Sequence, residues 1–115
     1  MNLFAIVLHL LAFDILDKHQ SILSQSLSDP VAVARALHGE SVITGEILSV
    51  VESATFSLPT ERRKVLLAAL REAVKTNYRS LETFATVLCK FGGNVQLGKA
   101  IHSDYSELTY MMYIT

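Results

Sequence analysis

Apolar residues recur along this chain at three- and four-residue intervals, and nowhere do they alternate with polar ones for long enough to read as a strand. Leu8, Ala12, Ile15, Leu16, Ile22, Leu23 and Leu27 fall near one face of a helix that begins at residue 3 or 8 and ends at 27. Asp14, Asp17, Lys18, Ser21 and Gln25 take its far side. Asp29 and Pro30 then restart the chain, one as a cap and the other at an opening helical position, for a helix over 31–38 stopped by Gly39. A third helix runs from 44 or 45 to 54, with Ile47, Val50, Val51 and Ala54 inward and Glu46, Ser49, Glu52 and Ser53 outward. Ser57 and Pro59 open a fourth over 59–77, striped by Leu66, Leu67, Leu70 and Val74. The fifth, over 80–91, buries Leu81, Phe84, Ala85, Leu88 and Phe91, and Gly92 and Gly93 stop it. Asn94 caps a sixth helix that carries Leu97, Ile101 and Leu108.

Six helices in 115 residues make one domain with a single apolar core, and a composition 50% apolar and 18% charged supports folding without staples. A net charge of −1 offers no general attraction to nucleic acid or to an acidic membrane. Cys89 stands alone and forms no internal disulfide, which suits a reducing compartment such as the cytoplasm. Residues 2–13 are apolar except for Asn2 and His9. That run is too short for a spanning helix, which takes roughly 20 residues, and no Lys or Arg precedes it as in a signal peptide. The domain is expected over 14–108, with 1–13 as an apolar extension continuous with the first helix and 109–115 as a tail.

From Gly93 the chain reads glycine, four residues, Gly98 and Lys99, the core of a phosphate-binding loop, but Ala100 stands where a magnesium-binding hydroxyl is needed. Such a loop also needs a preceding strand, whereas these glycines follow a segment with helical spacing. They are expected to punctuate two helices, with Gly98 allowing close packing and Lys99 solvated. His9, His19, His38 and His102 are scattered, no metal-ligand spacing occurs, and no nucleophile sits in a recognisable elbow. Neither catalysis nor a cofactor is expected.

Charge is distributed unevenly. Residues 1–60 hold two basic and six acidic side chains, a balance of −4, and residues 61–115 hold eight basic and five acidic, a balance of +3. Lys64, Arg71 and Lys75 return to one face of the fourth helix, and Arg71 and Lys75 repel each other at four-residue spacing. Glu46 and Glu52 lie on the outer side of the third. A basic face and an acidic face on one molecule pair head to tail between copies, which builds rings or open filaments rather than closed dimers.

Residues 43–101 resemble the caspase recruitment domain of the death-fold superfamily. The likeness lies in an ITGEI entry to the third helix, the long ERRKVLLAAL fourth helix, the LETFATVL fifth helix, and a glycine turn into a final LGKAI. The first helix departs from the family pattern, with Lys18 among two aspartates. The resemblance implies an all-α, six-helix antiparallel bundle with Greek-key death-fold topology. It implies a non-catalytic module that pairs with other such domains, its own kind or those of adaptors and caspases, in apoptotic or innate-immune signalling. Carried over, the basic surface comprises Arg62, Arg63, Lys64, Arg71 and Lys75, and the acidic surface Asp29, Glu40, Glu46 and Glu52. Arg63 points toward the apolar side of its wheel. The competing expectation is a small membrane-associated helical protein held by its apolar N-terminus.

Overall fold

The computed structural model describes residues 3–53 and 58–114. Within them lie six α-helices: α1 (Leu3–Ser26), α2 (Pro30–Gly39), α3 (Gly45–Glu52), α4 (Pro59–Thr76), α5 (Arg79–Leu88) and α6 (Val95–Ile114). A 3-10 turn, Gly92–Asn94, leads into α6, and no strand occurs among the described residues. Ala54, expected to point inward, and the start signal at Ser57 lie outside them.

Local chemistry sets the helix starts. Asp29 adopts a left-handed backbone (φ 48°), and its carboxylate accepts from the Ala32 N–H at 3.4 Å, while Pro30 takes the first helical position of α2. The Thr44 hydroxyl accepts from the Ile47 N–H at 3.2 Å to open α3. Asn77 ends α4, and its side-chain oxygen accepts from the Arg79 N–H at 3.0 Å as α5 begins. One residue therefore closes one helix and opens the next.

The helices form a bundle around one core. α1 runs antiparallel to α6, since Ser28 meets Asn94 at one level and His19 meets Asp104 about two and a half turns away. It is antiparallel to α4 as well, with Asp17 beside Arg71 and His9 beside Tyr78. α2 packs on α3, α4 and α5. Leu16, Leu23, Leu37, Leu66, Leu70, Phe84, Leu88 and Ile101 are sealed from solvent in the middle. Among the expected core residues, Ile47, Phe91, Leu97 and Leu108 are only partly buried against it, and two are exposed, Ile22 at 49% and Val50 at 38%. Ile22 sits about 100° around the helix from buried Leu23, past the arc that α4 and α6 cover. α3 has only eight residues and fully buries Val51 alone.

The glycine-rich turn differs from expectation in mechanism. α5 ends at Leu88 rather than Phe91, and no glycine holds a positive φ. The chain leaves α5 through turn hydrogen bonds from Lys90 N–H to the Val87 carbonyl and from Phe91 N–H to the Leu88 carbonyl. Asn94 does not cap α6 with its side chain. It is fully buried, and its amide accepts from the Ser28 N–H at 2.7 Å and donates to the Ser28 carbonyl at 2.8 Å. The α1–α2 connection is thereby clasped to the start of α6.

Candidate protein interaction surface

The five basic residues singled out in the sequence take two different environments. Arg62 and Arg63 are half-buried, and both donate to backbone carbonyls near helix ends: Arg62 Nη1 to Val51 at 2.6 Å and Arg63 Nε to Leu27 at 2.7 Å. A cation at a helix C-terminus satisfies orphan carbonyls and complements the helix dipole. These two arginines tie the ends of α3 and α1 to the first turns of α4.

Lys64, Arg71 and Lys75 share one side of α4 by helical spacing, and Arg71 among them contacts α1. Lys64 and Lys75 are exposed and form no ion pair among the described residues. Arg71 is engaged: its Nη1 donates to Asp17 Oδ1 on α1, and its guanidinium lies 5.1 Å from the centre of the Phe13 ring. The hydrogen bond to Asp17 raises the Arg71 pKa further above its ordinary value. The row therefore presents two free ammonium groups around one arginine paired within the chain.

The acidic residues also divide. Glu40 follows the end of α2 and Glu46 lies in the first turn of α3, both exposed at the corner joining these helices. Asp29 sits at the opposite end of α2, about 15 Å away by helical rise, and serves as that helix's cap. Glu52 Oε2 accepts from Arg35 Nε on α2 at 2.7 Å. Glu40 also lines a shallow groove with Glu82, Thr83, Thr86, Val87 and Lys90 of the α5 region.

The structure adds an ion cluster that had no sequence signal and places the apolar N-terminal run. Asp104 of α6 accepts from His19 Nε2 at 2.8 Å and from Lys18 Nζ at 3.1 Å, both on one carboxylate oxygen. Burial works against the Asp104 charge, but the hydrogen bonds from His19 and Lys18 outweigh it and hold the carboxyl below its usual range. Leu3, Ile6 and Leu10 are 75%, 42% and 62% exposed along the outer face of α1. No helix is long and apolar enough to cross a membrane, and no group of three metal-ligating side chains comes together, among the described residues. Arg35 and Asp17 carried no sequence signal, because each meets its partner across 17 and 54 residues of chain.

No protein-family model, curated protein or solved structure matches this chain.

Proposed function

We propose that the chain is a non-catalytic interaction module of the caspase-recruitment type. In this reading its helices follow the Greek-key death-fold order, and it assembles in the cytoplasm with copies of itself or with similar domains. The observation that carries this reading is the separation of charge on a helical bundle. Lys64 and Lys75 stand free on α4, and Glu40 and Glu46 stand free at the α2–α3 corner. Two surfaces of opposite sign on different elements join heterologously, so each added copy leaves one surface open for the next.

Charge reversal tests it directly. Lys64→Glu with Lys75→Glu is expected to abolish concentration-dependent assembly in sedimentation velocity, and adding Glu40→Lys and Glu46→Lys to the same chain is expected to restore part of it. A wild-type chain that stays monomeric at high concentration, with no response in either variant, rules out self-pairing.

A second reading rests on Leu3, Ile6 and Leu10, an apolar face on the outside of α1. Under it the first turns of α1 lie in a membrane interface. Replacing all three by Ser would then abolish sedimentation with zwitterionic lipid vesicles and leave assembly unchanged.

A further inference from the structure

We infer that the interaction surface is partly self-blocked in the free chain, by two intramolecular ion pairs that stand where a neighbouring copy's charges would bind. The inference rests on the head-to-tail reading above. Asp17 on α1 occupies Arg71 of the basic surface, and Arg35 on α2 occupies Glu52 of the acidic surface. One internal pair thus neutralises one member of each surface. Asp17 supplies the chemical group that an incoming acidic surface would offer, and Arg35 supplies the group that an incoming basic surface would offer.

Geometry makes both pairs exchangeable. Side-chain exposures are 43% and 52% for Arg71 and Asp17, and 64% and 35% for Arg35 and Glu52, so water and an outside charge reach all four groups. Exposed pairs of this kind add little to fold stability, and their loss leaves no charge stranded in the core. Arg71 keeps its position without Asp17, because the Phe13 ring supports its guanidinium from α1. Glu52 keeps its backbone position at the end of α3, and its carboxylate, released from Arg35, is open to an outside charge. The threshold for assembly is then set by competition between the internal partner and the neighbour's, a differential effect of the kind that shifts populations.

Asp17→Asn and Arg35→Gln test this together. They change the net charge in opposite directions, yet both are expected to lower the concentration at which assembly appears in sedimentation velocity at low salt, by several-fold each. Adding Arg71→Gln to Asp17→Asn, or Glu52→Gln to Arg35→Gln, is expected to erase the respective gain. Circular dichroism melting checks that each variant is folded, and a second substitution at each site, Asp17→Ser and Arg35→Met, replaces any that is not. If the wild type assembles and the Lys64, Lys75 reversal prevents it, but neither neutralisation lowers the threshold, self-blocking is wrong and the head-to-tail reading stands. A gain in only one variant, following net charge, also overturns the inference. If no form assembles, both readings fall.

Discussion

At Gly98 the backbones of α5 and α6 leave no room for a methyl group. A Cβ there would lie 2.7 Å from the Cys89 sulfur and 2.8 Å from the Ala85 carbonyl oxygen, the latter a backbone atom that cannot swing aside. Gly98→Ala is therefore expected to destabilise the fold by about 1–3 kcal/mol in urea denaturation, although alanine is the better helix former. Gly92→Ala is the control: nothing lies within 4 Å and φ is not positive, so it should be neutral or stabilising by up to about 1 kcal/mol. The need for a small residue at 98 was legible in the sequence, because a glycine inside a helical pattern implies close approach. The role of Asn94 was not. Its partner, Ser28, lies 66 residues away, and at a helix start the same side chain reads as a cap. Asn94→Ala strands the Ser28 N–H and carbonyl and is expected to cost about 1–3 kcal/mol, by the same measurement.

Between elements, Asp104 joins α6 to α1 by charge. The carboxyl titrates lower in the fold than in the unfolded chain, so the folded state binds fewer protons through the carboxylate range. Its contribution is present above the unfolded value, about 3.9, and is lost as pH falls through the depressed folded value. Asp104→Asn should accordingly lower the calorimetric melting temperature at pH 7. The gap from wild type should close as pH drops below about 4, and a gap that persists unchanged in acid would mean that packing, not charge, accounts for the effect. Helix existence and most inward faces followed from apolar spacing, as Leu66, Leu70 and Val74 on α4 illustrate. Burial failed where the number of neighbours decides it, at Ile22 and Val50, since periodicity gives the direction of a side chain and not what covers it. Long-range pairings such as His19 with Asp104, 85 residues apart, have no local signature at all.

At the scale of the whole molecule, the division into an acidic first half and a basic second half was visible in the sequence, while the fate of each charge was not. Folding draws Arg62 and Arg63 onto helix ends and leaves Lys64 and Lys75 outside. The two exposed sets lie on different elements, and this makes a stoichiometric prediction that a two-fold dimer cannot satisfy. Lys64→Ala with Lys75→Ala removes one surface and keeps the other, and Glu40→Gln with Glu46→Gln does the reverse. Each variant alone should stay monomeric. An equimolar mixture brings one intact basic surface to one intact acidic surface, and the outer faces of the resulting pair are both disabled. Light scattering of the mixture should therefore show a heterodimer and nothing larger, weakening as salt rises and the Debye length falls below about 10 Å. Neutral substitutions are needed for this, because reversed charges would form a new complementary pair and let growth continue. A mixture that remains monomeric, or variants that each dimerise alone, would show that the two surfaces do not meet each other.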